Sequence, residues 1–264
     1  MRENKVKTIW ANGGVVINGW LHIPSTWSAE LMAHAGFDSL TIDMQHGIAS
    51  LENAIQMMQA ISTTDTVPMA RVTWNEPGLI MRLLDTGAYG IICPMVNTRA
   101  ECEAFVGAVR YHPLGYRSMG PVRASVYGGS DYVHRANDTV LAIAMIETKE
   151  ALNNVEEIAS TSGLDAFYIG PSDLSLSLFD KPGVDFEKPE LLAALDKILA
   201  AAKNNNLACG IHTGSVSQAR AMIARGFQLV TVQSDGSFLS DAAKAVVSGI
   251  RDDTVATGDK KDVY

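Results

Sequence analysis

The alternation of strand-like and helix-like segments restricts the fold of this chain more than any other feature. Short runs rich in apolar and β-branched residues recur at Val15–Ile23, Ser39–Gln45, Val67–Val72, Gly90–Val96, Leu141–Glu147, Ala166–Asp173, Leu207–Gly214 and Leu229–Asp235. Each leads into a stretch with helical spacing. Among these are EPGLIMRLLDTGA, with Pro77 in its first turn and Gly87 near its stop, and TRAECEAFVGAVRY, with Thr98 as N-cap. Runs that stay apolar on both faces are those of a parallel sheet covered by helices. Eight such units in 264 residues predict an α/β protein, a (β/α)8 TIM barrel, occupying 1–264 as one domain with a polar tail from about residue 251. An open doubly wound sheet competes, but no GxGxxG turn follows the first strand. One interval is irregular. Between Met95 and Glu147 lies HPLGYRSMGPVRASVYGGSDYVHRAND, long enough to be read as a functional loop.

Charge and cysteine usage narrow the function classes. A net charge of −8 argues against a nucleic-acid binder, which needs a basic face for phosphates. Cys93, Cys102 and Cys209 are scattered without metal-type spacing, an odd and sparse count that suits a reducing compartment. No signal-like apolar run opens the chain, and no segment approaches the ~20 apolar residues of a membrane span. A cytoplasmic protein that binds neither membrane nor nucleic acid is expected.

In a barrel of this type chemistry gathers at the carboxyl ends of the strands. The polar residues there are Trp20 and His22, then Asp43, Gln45 and His46 in SLTIDMQHG, then Arg71, Glu147, Asp173, His212 and Asp235. The ends bearing Asp43, Glu147 and Asp173 are expected to meet, with Arg71, around one metal ion. Glu147 and Asp173 close consecutive strands, about 4.8 Å apart, so their carboxylates can converge on a hard cation such as Mg²⁺ or Mn²⁺. The alternative for Asp173 is a cap on the helix that follows it. Arg71 offers a planar fork for a carboxylate, or else a salt bridge to Glu76 or a barrel acid. His46 reads as base, ligand or hydrogen-bonded structural residue, and Asp85 as its orienting acid or a helix-end residue. HTGS and SDGS, after the last two strands, give a weak anion-site signal. His22, His212 and Asp235 rank second.

Taken together, DMQHG, ARVTWNEPG, LLDTGAYGIICPMV, RYHPLGYRSMGP, MIETKEALNN and GPSDLSLSL resemble, in this order, the HpcH/HpaI aldolase family, from about Asn18 to Asp235. These are metal-dependent class II pyruvate aldolases of the citrate lyase/pyruvate kinase-like barrel group, including 2-keto-3-deoxy sugar-acid and 2,4-dihydroxyhept-2-ene-1,7-dioate aldolases. The resemblance implies a lyase that reversibly cleaves a 4-hydroxy-2-oxo acid to pyruvate, or hydroxypyruvate, and an aldehyde. It implies Glu147 and Asp173 as ligands of Mg²⁺ or Mn²⁺, with Co²⁺ or Zn²⁺ as further candidates, and Asp43 as an acid near the metal's water shell. Arg71 would hold the pyruvyl group, His46 and Asp85 would form the acid/base dyad, and Trp20 would line the pocket. The backbone of Gly170, Pro171 and Ser172 would touch the pyruvyl carboxylate. Assembly as a homohexamer with exchanged C-terminal helices is implied as well. Two positions depart from better-known members, Gln45 in place of glutamate and Met145 in place of glutamine. No strand ends in a lysine that could form a Schiff base. The long loop with Arg117 and Arg123 is a candidate for selecting the aldehyde. Competing readings are an oxaloacetate-type decarboxylase on the same site, a citrate-lyase-like CoA-thioester lyase, for which no basic phosphate cluster is visible, and a non-catalytic barrel.

Overall fold

In the computed structural model, which describes residues 1–251, eight parallel strands close into a barrel in sequence order. They are β1 (Val16–Leu21), β2 (Ser39–Asp43), β3 (Val67–Arg71), β4 (Gly90–Cys93), β5 (Leu141–Ile146), β6 (Ala166–Ile169), β7 (Ala208–Thr213) and β8 (Leu229–Val232). β8 pairs back onto β1 through Val16 and Leu229. The strands are almost wholly buried, as their unbroken apolar runs require, and the surrounding helices cover them. Among the described residues no helix is long and apolar enough to cross a membrane. The polar tail expected from about residue 251 falls outside the described residues apart from Arg251 itself.

Side chains alternate across a strand, so one residue in two points into the barrel. In the lower interior this places polar groups rather than the expected branched apolar layer. Asn18 donates to Thr231 Oγ1 at 2.9 Å, while Ser39 and Thr41 donate to Asn18 Oδ1 at 2.8 and 3.1 Å. Tyr168 donates to the same Thr231 oxygen at 2.8 Å. Every one of these groups is buried, and mutual bonding removes the cost of burying them.

Several segments differ from the sequence reading. The strand expected to reach Asp173 stops at Ile169, because Pro171 opens a helix, Pro171–Phe179, that contains Asp173 in its first turn. A helix at Lys5–Ala11 precedes β1. Its capping residue Asn4 donates to the carbonyls of Tyr89 and Thr139, and Trp10 Nε1 donates to that of Gln228. These carbonyls lie just before β4, β5 and β8, so this helix seals the amino-terminal mouth of the barrel. Seven residues with two lysines gave too short a period to read. The irregular interval holds two short helices, Val122–Gly128 and Tyr132–Thr139, and lies between a helix and β5. Connections of that order run along the amino-terminal rim, away from the strand ends that carry chemistry. Arg117 there is buried against Tyr111 and Tyr132, and Arg123 donates to Thr86 O at 2.6 Å and Ser62 Oγ at 2.8 Å. Within one chain, neither arginine reaches the site at which an aldehyde would be selected.

Candidate active site

At the carboxyl ends of the strands, Trp20, His22, His46, Arg71, Met145, Glu147, Tyr168, Gly170, Pro171, Ser172, Asp173 and His212 line one cavity of ≈ 230 Å³. The inward parity of each strand explains the set. Trp20 on β1 and His22 just past its end point the same way, as do Met145 on β5 and Glu147 just past its end, and Asp43 and Arg71 are direct register partners on β2 and β3.

Asp43 is the fixed point on one side. It is completely buried, and Arg71 holds it through both carboxylate oxygens, Nε to Oδ1 at 2.8 Å and Nη2 to Oδ2 at 2.6 Å. Oδ2 also accepts from Trp20 Nε1 at 3.1 Å and meets His22 Nε2 at 2.9 Å, while Oδ1 accepts the backbone N–H groups of Gln45 and His46. Burial alone would raise its pKa. The bonds from His22 and Arg71, the Arg71 charge and the Trp20 bond overturn that and hold the carboxyl well below the usual carboxylate range. Asp43 is therefore ionised and saturated. Contrary to the sequence reading, it does not join Glu147 and Asp173: its lone pairs are spent on Arg71, Trp20 and His22. Gly47 makes the tight turn after β2 feasible, since a Cβ there would press on the Asp43 carbonyl.

Glu147 is the fixed point on the other side. It follows β5 directly, is 2% exposed, and accepts the Met95 N–H through Oε1 at 2.7 Å. Met95 holds a left-handed conformation at φ 55°, which aims that N–H inward, a local strain of the kind functional sites retain. Burial, and to a lesser extent repulsion from Asp173, push the Glu147 carboxyl up to about 7, against the opposing Met95 bond and Arg71 charge. Asp173, exposed on the first helical turn after Gly170, makes no cap bond, so its expected alternative role as a cap is not what the side chain does. Among the described residues no cluster of three metal-type side chains exists. The Glu147–Asp173 pair thus leaves most of a cation's coordination sphere to water and substrate, and its mutual repulsion and all-oxygen donor set fit a hard divalent ion.

Gly170 links this pair to the fold. A Cβ at that position would collide with Glu147 Oε2 and lie 2.9 Å from Met145 Cε. Gly170→Ala is therefore expected to displace the glutamate: apparent divalent-ion affinity, read by titration calorimetry, should fall at least tenfold for a stability loss of only about 1–3 kcal/mol. Pro171 has no N–H and shapes the wall; the free N–H groups of the helix start belong to the residues after it.

The other predicted residues are scattered. His46 lies exposed at the cavity mouth. Asp85 ends the helix Pro77–Asp85 at the opposite rim and accepts from Arg117 Nη2 at 2.7 Å, so no His46–Asp85 dyad forms within one chain. Gln45 Oε1 is buried with no hydrogen-bond partner among the described residues. Asp235 latches β8 to the segment after β1 by accepting from the His22 N–H at 2.8 Å and Ser28 Oγ at 2.7 Å, a structural role. The Gly214 N–H is taken by Gln218 Oε1, which leaves HTGS without that donor for an anion. Tyr168 was not legible as a site residue. It stacks on Trp20 with ring centroids 5.5 Å apart and meets His212 Nδ1 at 3.3 Å. Burial and the Arg71 charge lower the His212 pKa to about 4, so that ring is neutral.

Comparison with known proteins gives the family of the chain. The HpcH/HpaI aldolase/citrate lyase family matches residues 19–242. A hydroxypyruvate/pyruvate aldolase of Rhizorhabdus wittichii is 44% identical over 248 residues, covering 94% of this chain and 99% of its own. A 4-hydroxy-2-oxo-heptane-1,7-dioate aldolase of Klebsiella pneumoniae is 35% identical over 266 residues, covering 99% of this chain and 100% of its own. The crystal structure of a Burkholderia cenocepacia protein of the same family superposes with a TM-score of 0.87 at 33% identity, covering 94% of this chain and 99% of that one. The chain belongs to the HpcH/HpaI aldolase/citrate lyase family.

Proposed function

We propose that this protein is a divalent-metal-dependent aldolase that cleaves a 4-hydroxy-2-oxo acid to pyruvate or hydroxypyruvate and an aldehyde, and joins them in the reverse direction. The observation that carries this reading is the pairing, within one small cavity, of two carboxylates free to take a cation with an arginine whose fork is only partly used. The names of the two aldolase relatives support it.

Glu147 and Asp173 would hold the ion, Mg²⁺ or Mn²⁺ by donor type. When bound, it supplies Lewis acidity toward the keto oxygen of the donor. The chain's own residues do the rest. Arg71 is steered by Asp43 and presents its remaining N–H groups to the donor carboxylate, and the first free N–H groups after Pro171 face the same region. Trp20 and Tyr168 form an apolar wall that limits water. His46 at the mouth takes the proton of the C4 hydroxyl as the C3–C4 bond breaks, work typically worth about 10²–10⁴-fold. Asp85 would orient it only from a second copy of the chain. A second copy is also favoured by the helix Asp235–Arg251, whose Leu239, Val246 and Ile250 are exposed, and by exposed Ile17, Trp27 and Leu31 near β1. Sedimentation would report the oligomer.

The test is pyruvate release from a racemic 4-hydroxy-2-oxo acid, before and after chelation and after restoring Mg²⁺, Mn²⁺ or Co²⁺. Release that chelation stops and metal restores is expected; metal-independent release would sink the reading. Because a proton competes with the ion at Glu147, apparent metal affinity should fall about tenfold per pH unit below about 7 and level off above it. Titrations at pH 5.5, 6.5 and 7.5 check this.

A further inference from the structure

We propose that His22, locked onto Asp43 beside Arg71, moves the donor's C3 proton. This rests on the aldolase reading and adds a group that the reading does not use. Three observations converge on His22. First, it follows β1 at the carboxyl end, lines the cavity and is part exposed, so a ligand can touch it. Second, its Nε2 lies 2.9 Å from Asp43 Oδ2. Asp43 is a saturated carboxylate with no proton to give, so Nε2 must carry the hydrogen. In that tautomer the lone pair is on Nδ1, which has no hydrogen-bond partner among the described residues. The tautomer is fixed by its neighbour, as in histidine–carboxylate dyads that serve as bases. Third, His22 and Arg71 bond the same oxygen, Oδ2, at 2.9 and 2.6 Å. The arginine that positions the donor and the imidazole beside it are therefore one rigid unit, on the donor side of the cavity.

The other histidines of the cavity fit this task less well. His46 is exposed and its ring has no hydrogen bond among the described residues. His212 is held neutral by burial and the Arg71 charge, and its Nδ1 faces Tyr168. Within one chain, His22–Asp43 is the single histidine–carboxylate pair in this cavity among the described residues.

In the joining direction the Nδ1 lone pair takes a proton from the C3 methyl of pyruvate. The C3–H pair becomes the C2–C3 double bond, and the carbonyl π pair moves to oxygen. The imidazolium formed keeps its Nε2 hydrogen on Asp43, whose charge faces it. In cleavage the same proton returns to C3 after the aldehyde has left, so no other reactant is consumed.

The test separates the two proton transfers. Exchange of the pyruvate C3 hydrogens for deuterium needs only the donor and is followed by ¹H NMR on the metal-loaded protein; cleavage of the 4-hydroxy-2-oxo acid needs the mouth as well. His22→Gln should lose exchange by about 10²–10⁴-fold while pyruvate still binds by calorimetry. His22→Ala should regain exchange with added imidazole, a response that a purely structural role does not give. His46→Ala should keep exchange and lose cleavage. The proposal is overturned if His22→Gln exchanges at the wild-type rate while wild type cleaves, or if His22→Gln fails to bind pyruvate and imidazole restores nothing to His22→Ala. Wild-type protein that neither exchanges nor cleaves with any of the three metals would overturn the aldolase reading itself, and this proposal with it.

Discussion

Arg71→Ala is expected to cost the folded chain about 3–5 kcal/mol, because it strands the Asp43 carboxylate at a completely buried position. At 2–4 °C per kcal/mol for a chain of this size, the calorimetric melting temperature should drop by roughly 10 °C. The sign with pH follows from the depressed Asp43 pKa. Its stabilising contribution is present above the ordinary carboxylate value and is lost as pH falls through the lower folded one. In Arg71→Ala the carboxyl can take up a proton far more readily, so the deficit should shrink in mild acid. Adding Asp43→Asn should recover part of the stability at neutral pH but none of the pyruvate binding. An unchanged melting temperature in Arg71→Ala would show that the pair is neutral for folding and kept for the ligand alone.

Glu147→Gln should have the opposite effect on stability and should abolish metal-dependent activity. The amide keeps an oxygen for the Met95 N–H but removes a charge that burial and Asp173 both disfavour. A glutamate raised to about 7 stabilises the fold fully below its unfolded value near 4.5, and that contribution is lost as pH rises through 7. In chelator at pH 8 the variant should therefore melt above wild type, by on the order of 3 kcal/mol at most, and the gap should close near pH 5. Metal-dependent turnover should vanish at every pH, since one carboxylate alone holds a hard ion poorly. Lower stability of the variant at pH 8 would mean that Arg71 already compensates the charge.

How much of this was legible in the chain depended on whether a residue's role is local. The barrel was, because eight apolar runs separated by helical spacing leave few alternatives, and Glu147 stood out as the acid directly after a buried strand. Asp173 was read as a strand end, although Pro171 two residues earlier marks a helix start. Asp43 and Arg71 are legible as neighbours at the strand ends, and a barrel acid is one of the two partners that the sequence offers Arg71; the reach of Asp43 to Trp20 and His22 is set by the stagger between strands, which no local pattern encodes. The same dependence kept His22 in second rank. The interval 112–138 and Asp85 are a different matter. The interval follows a helix and Asp85 ends one, so counting connections alone puts both on the far rim.

The saturation of Asp43 has a consequence for how this protein could diverge. A carboxylate fixed by β1, β2 and β3 at once leaves few permissible substitutions, since a residue at Trp20, His22 or Arg71 that cannot donate to the shared oxygen weakens the hold on the other two. Beside the cavity, toward β7 and β8, a neighbouring concavity of ≈ 370 Å³ lined by Val184, Phe186, Thr213 and Gln233 carries no such interlocking charge. Variation in substrate range, by selection in nature or from a mutant library, should accumulate on that side, while the β1–β3 side stays nearly invariant.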